Sequence, residues 1–167
     1  MIKLIVGSKG SGKTKTLIDM INTATKTTAG NIVVIEKSMK LTTEINHAAR
    51  LLDVDEYKIS GAEMLYGFVA GVLAGNYDIT ELFVDGLLKI LDHDMDAAAK
   101  LLDAIDKLTA SIEVVITLSA KPEELPESIK KYTILSFANL SGRKPQRFPP
   151  FSFVFQIFCA LCLDKPL

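Results

Sequence analysis

Cysteine, arginine, excess charge and long apolar runs are all scarce in this sequence. Its two cysteines, Cys159 and Cys162, lie near the C-terminal end. The main body therefore needs no disulfide, and a cytoplasmic setting is expected. A lone C-x-x-C without a second ligand pair is a weak metal signal. The formal net charge of -1 offers no field to attract nucleic acid or an anionic membrane, and no clear nucleic-acid patch is expected. No transmembrane helix is expected either. The most apolar stretch, 151–163, is shorter than the roughly 20 residues a helical span requires. The sequence opens directly on a strand pattern, so no signal or transit segment is expected. Against these absences, 49% hydrophobic and 23% charged residues in a chain of 167 suit one globular domain with a sizeable core.

The stretch Gly7-Ser8-Lys9-Gly10-Ser11-Gly12-Lys13-Thr14 organises the rest. It fits G-x-x-x-x-G-K-[ST], follows the apolar run 2–6, and precedes a helical pattern carried by Leu17, Ile18, Met20 and Ile21. Strand, glycine-rich loop and helix is the context this motif requires. Three glycines let the backbone turn tightly and aim several N–H groups at one point. The following helix adds free N–H groups and the positive end of its dipole, which favours an anion. Lys13 can reach β- and γ-phosphates, and the Thr14 hydroxyl can ligate Mg²⁺. A simple turn would need neither a lysine nor a threonine at those places.

Along the chain, helices are expected over 13–25, 38–52, 61–74, 94–108 and 122–130. Strands are expected at 2–6, 32–35, 57–60, 79–86, 112–118 and 132–137. For 38–52 the signals are Ser38 as a cap and Leu41, Ile45, Ala48 and Leu52 as an apolar face. The strand at 32–35 is β-branched and continuously apolar, as expected when both sheet faces are covered. Alternation of strand and helix predicts an α/β, three-layer P-loop NTPase fold. Its sheet is mainly parallel, of five to six strands, with helices on both faces and right-handed crossovers. Ligands in such sheets bind beyond the carboxyl ends of the strands, at the topological switch point. The loop 7–14, Glu36, Asp85 and Ser119 all fall on that edge.

The expected domain is 1–138. Residues 139–167 form an atypical Pro/Phe-rich tail. The stretch 142–167 holds five of the eight Phe, four of the six Pro and both cysteines. It reads as a disordered or non-native end, the alternatives being a segment docked on the domain or a partner, or a membrane-surface contact.

Asp85 ends an apolar strand as a Walker B carboxylate does, and Thr14 with Asp85 forms the expected metal pair. In the hydrolases that carry an additional strand, a Glu follows that Asp; here Gly86 does. Glu36 is then the candidate base, with Lys13 as the charge stabiliser, while Glu81 is buried in its strand or points away. The competing reading of Glu36 is helix N-terminal electrostatics. Ser119 is a candidate γ-phosphate contact, or equally a turn residue before Lys-Pro. Arg50 is the only arginine of the main body and is expected mid-helix on the surface, beside a surface His47. Asp92, His93, Asp94 and Asp96 need only a helix N-terminus to explain them, with Asp94 as the cap. Gly67, Gly71 and Gly75 repeat every four residues, which reads as close internal helix packing ahead of a dimer face.

The P-loop with its flanks, the Val-Val-Ile-Glu-Lys strand end, Leu-Ala-Gly-Asn-Tyr-Asp-Ile-Thr and Leu-Phe-Val-Asp together resemble small single-domain bacterial P-loop proteins. Those proteins come from Gram-positive anaerobes and are often labelled ATP-binding or, loosely, twitching-motility ATPase. The resemblance covers about residues 1–137. It implies ATP and Mg²⁺ as cofactors and a P-loop fold. It does not imply motility, because pilus-retraction motors are longer and carry acidic and histidine boxes absent here. Three functions follow as expectations. The first is a slow Mg²⁺-dependent ATPase. The second is a nucleotide-responsive module acting through a protein partner or homo-oligomer. A small-molecule kinase ranks last, since no basic lid is present. No N-K-x-D guanine-reading motif occurs.

Overall fold

Side chains that alternate along each strand bury on opposite faces of one sheet, and that alternation fixes the architecture. A computed structural model describes residues 1–137; the tail 139–167, with Cys159 and Cys162, lies outside the described residues. The strands are β1 (Ile2–Gly7), β2 (Asn31–Glu36), β3 (Ala49–Asp53), β4 (Ile79–Val84), β5 (Glu113–Leu118) and β6 (Thr133–Phe137). They form a six-stranded sheet in the order β3-β2-β4-β5-β1-β6, and every pairing is parallel.

The helices are α1 (Lys13–Thr27), α2 (Gly61–Gly75), the one-turn α3 (Leu87–Ile90), α4 (Met95–Leu108) and the one-turn α5 (Glu127–Lys130). Helix α1 covers one face. Its Leu17, Ile18, Ile21 and Ala24 pack with Ile5, Ile32, Val34, Phe83 and Val115. The opposite strand positions, among them Leu4, Val6, Val33, Ile35, Leu82, Val84, Val114 and Ile116, pack with residues of α2–α5. Both faces are therefore dry, which is why the strands read as unbroken apolar runs. Helix α4 begins where Asp94 accepts a hydrogen bond from the Ala97 amide at 2.9 Å, the expected cap.

Three expectations are corrected. Residues 38–52 form no helix: turns lead into β3, which pairs with β2 from Ile32↔Ala49 to Glu36↔Asp53. Ser38 and Met39 have φ of 88° and 48°, outside the right-handed helical region. Leu41 and Ile45 are buried against the α1 side without being helical, and their four-residue spacing imitated an amphipathic face. Asn22 of α1 holds this segment, donating to Glu44 O at 2.9 Å and accepting from the Asn46 amide at 2.8 Å. His47 is thus an exposed turn residue, and Arg50 an exposed residue of the edge strand. Residues 57–60 are no strand either: the chain turns there, with Ile59 N–H bonded to Val54 O and Lys58 at φ 54°. Finally, a Cβ placed on Gly67, Gly71 or Gly75 would meet no atom within 4 Å. These glycines therefore mediate no close packing among the described residues.

Candidate nucleotide site

The loop between β1 and α1 turns through two left-handed glycines, Gly10 at φ 82° and Gly12 at φ 95°. A Cβ on either would meet nothing within 4 Å. The glycines are therefore required by backbone conformation, and the space above them is open. At Gly7 the constraint is steric: a Cβ would lie 2.6 Å from Ser11 Oγ and 2.8 Å from Phe137 Cβ. Gly12 caps α1 with no side-chain partner for the first helical amides, leaving N–H donors available to an anion.

Lys13 is 6% exposed. Its ammonium folds back onto its own loop, donating to Gly7 O at 2.8 Å, Ser8 O at 2.7 Å and Ser11 Oγ at 3.4 Å. Burial pushes its pKa below the ordinary lysine value; Asp85 opposes that shift and Lys89 adds to it.

Strand β4 delivers Asp85 to the same edge. The Thr14 hydroxyl donates to Asp85 Oδ1 at 3.3 Å across 71 residues of sequence. One hydroxyl and one carboxylate oxygen, both hard donors, fit a magnesium ion that keeps most of its waters. Thr117, at the equivalent level of β5, was not foreseen. Its hydroxyl donates to Asp85 Oδ1 at 2.8 Å and accepts the Gly86 amide at 2.7 Å, and the residue is 1% exposed. The available signal was a single polar side chain near the end of an otherwise apolar strand.

Glu36 also reaches this edge, at the end of β2, and is 1% exposed. Its Oε1 accepts the Leu41 amide at 2.9 Å. Burial raises its pKa above the ordinary carboxylate range, helped by the charges of Asp85 and Asp53 and opposed by the backbone N–H groups of Leu41 and Lys40. With no helix at 38–52, the helix-electrostatics reading of Glu36 is replaced by a loop-holding role. Asp53 does similar work next door, accepting the amides of Ser38 at 3.2 Å and Asp55 at 3.0 Å. Ser119 follows β5 directly and is half-buried. Glu81 lies toward the other end of β4, where it accepts a hydrogen bond from Thr28. Two depressions elsewhere, one lined by Tyr66, Lys100 and Asp103 and one by Arg50, Tyr57 and Phe68, include no residue of 7–14. Among the described residues no group of three or more His, Cys, Asp or Glu is placed to hold a metal, and no helix is long and apolar enough to cross a membrane.

The architecture is three-layer α/β, with an all-parallel sheet and a glycine-rich loop after β1, a P-loop NTPase-like arrangement. No protein-family model matches the sequence, and no curated protein matches it. Among solved structures the chain is similar to domain III of the replication initiation protein DnaA from Thermotoga maritima, at 16% identity and a TM-score of 0.45. The match covers 78% of this chain, which spans half the length of that one.

Proposed function

We propose that residues 1–138 form a cytoplasmic nucleotide-binding domain that takes ATP with Mg²⁺ and hydrolyses it slowly. Gly7, Ser8, Lys9, Gly10, Ser11, Gly12, Lys13 and Thr14 hold the phosphates, with Ser119 as an additional contact. Thr14 and Asp85 would hold the metal. The observation that carries this reading is the approach of the Thr14 hydroxyl to the Asp85 carboxylate. The two motifs are far apart in sequence, yet they supply adjacent oxygen donors beside the N-terminus of α1, which has no side-chain cap.

Bound Mg²⁺ would neutralise charge on the phosphate oxygens. The chain's own residues orient and charge-balance the nucleotide. The Lys13 ammonium turns from its loop carbonyls to the phosphates, and Thr117 keeps Asp85 aimed at the edge. Glu36 is the one candidate base, its pKa raised by burial. Its carboxylate is nevertheless engaged by the Leu41 amide, which accounts for slow turnover.

A second reading, a nucleotide-responsive module with little hydrolysis that signals through a protein partner or a second copy, is favoured by Gly86. The position after the metal-binding Asp holds no carboxylate, and its amide is committed to Thr117. Calorimetry with ATP, GTP and ADP, with and without Mg²⁺, tests the binding. Asp85→Asn should lose the Mg²⁺-dependent part of ATP affinity, and equal affinities at every Mg²⁺ level would remove the metal role. Multiple-turnover phosphate release separates the two readings: release no greater than that of Lys13→Ala leaves only the module.

A further inference from the structure

A polyphosphate carries several negative charges, and of the loop's two lysines only Lys13 is buried, Lys9 being exposed at the turn. Among the described residues arginine does not supply the rest, since Arg50 is on β3 at the far edge of the sheet. A second cation is nevertheless built into the site. Immediately after Asp85, Gly86 sits at φ 67° and opens the single turn of α3. The Lys89 side chain folds back over it. A Cβ on Gly86 would lie 3.2 Å from Lys89 Cδ, 3.3 Å from Nζ and 3.4 Å from Cε. The absence of a side chain at 86 thus leaves room for a lysine stem. The backbone secures the fold-back, with the Lys89 amide bonded to Gly86 O at 2.8 Å. From the other side, Lys37 Nζ donates to Lys89 O at 3.3 Å. Among the described residues no carboxylate forms an ion pair with the Lys89 ammonium. Lys89 and the phosphate loop thus meet at one sheet edge from two elements, linked there through Asp85 and Thr14. Cations gathered at one place favour an anion.

We propose that Lys89 is a second phosphate-reading cation, which meets the terminal phosphoryl group of a nucleoside triphosphate and so sets the preference for triphosphate over diphosphate. The inference rests on the nucleotide reading above. Its geometry follows from Asp85. A metal at Thr14 and Asp85 would neutralise charge on the terminal phosphates, and the lysine stem lies across the residue after Asp85, which sets its ammonium beside that pair. An ammonium in that place donates to phosphate oxygens and accepts no proton, which suits a sensor better than a base.

The test is calorimetry on the full chain with ATP and with ADP, each with Mg²⁺, for wild type, Lys89→Met and Lys89→Arg. Lys89→Met keeps the stem and removes the charge. Because Lys89 is exposed, neither variant should disturb folding, and thermal unfolding checks this. Lys89→Met should weaken ATP binding roughly ten- to a hundredfold, the value of one charge-assisted hydrogen bond, with little change for ADP. Lys89→Arg should retain the preference. If wild type binds both nucleotides and Lys89→Met leaves their ratio unchanged, the role of Lys89 falls while the site stands. If wild type binds neither, the site falls and this inference with it.

Discussion

Replacing Thr117 with valine preserves shape and removes one hydroxyl, at a point where that hydroxyl joins two strands. In the wild type it gives a proton to Asp85 Oδ1 and receives one from the Gly86 amide. Valine leaves the buried Gly86 N–H without an acceptor, which costs about 1–3 kcal/mol, and removes a charge-assisted bond worth about 1.5–3 kcal/mol. Asp85 is half-buried, so water replaces part of the second loss. The two effects also overlap, and a net destabilisation of roughly 2–4 kcal/mol is expected. Thr117→Ser keeps the hydroxyl and loses one methyl group, for about 1 kcal/mol. The decisive quantity is the order of the two variants. Urea unfolding without nucleotide should show serine as the milder change, at an unaltered dependence on denaturant. A valine variant as stable as wild type, or a serine variant worse than valine, would refute the reasoning. The same valine variant should lose ATP affinity when Mg²⁺ is present and not when it is chelated, because only the carboxylate's orientation has changed.

Glu36 gives a pH signature. Its raised pKa means that the folded state keeps the proton after the unfolded chain has released it. The resulting stabilisation is present below the ordinary carboxylate range and is lost as pH rises through the raised value. Glu36→Gln keeps an oxygen for the Leu41 amide and cannot ionise, so it should gain on wild type as pH rises; parallel stability curves across that range would contradict this. Among the described residues Thr133 Oγ1 is buried without a hydrogen-bond partner, and Thr133→Val should raise stability by about 0.5–1 kcal/mol in urea unfolding; a loss would mean that the hydroxyl has an acceptor. Gly71→Ala, with open space where the methyl would go, should stabilise α2 by about 0.5–1 kcal/mol; a lower midpoint of thermal unfolding would mean that a neighbour occupies that space.

Much of this was legible where a signal was local. Ile32-Val33-Val34-Ile35 reads as a strand because no other element tolerates four buried apolar residues with no polar face. The P-loop is legible because glycine spacing and Lys13-Thr14 report backbone geometry and chemistry together. The segment 38–48 was not, because the spacing of Leu41 and Ile45 satisfies a helical period while their burial is set by α1 on the same face of the sheet. Ser38 and Met39 then take left-handed backbone that no composition rule anticipates. Thr117 was missed for a related reason. Its importance depends on the parallel register that aligns Val84 with Ile116, which brings the residues after each to one level. Lys89 reads as an ordinary surface lysine until the structure shows its side chain folded over Gly86, the residue after Asp85.

Strand β5 lies between β4 and β1 in space although it is made after both. Until it inserts, Thr14 and Asp85 have no reason to be neighbours, and the hydroxyl that steadies the carboxylate is absent. Parallel insertions of this kind are slow, since distant parts of the chain must meet before any contact is rewarded. A half-made molecule therefore owns the phosphate loop without the means to use it. If the site takes a nucleotide as proposed, its capture would mark completed threading and, by mass action, favour those copies that have finished assembling.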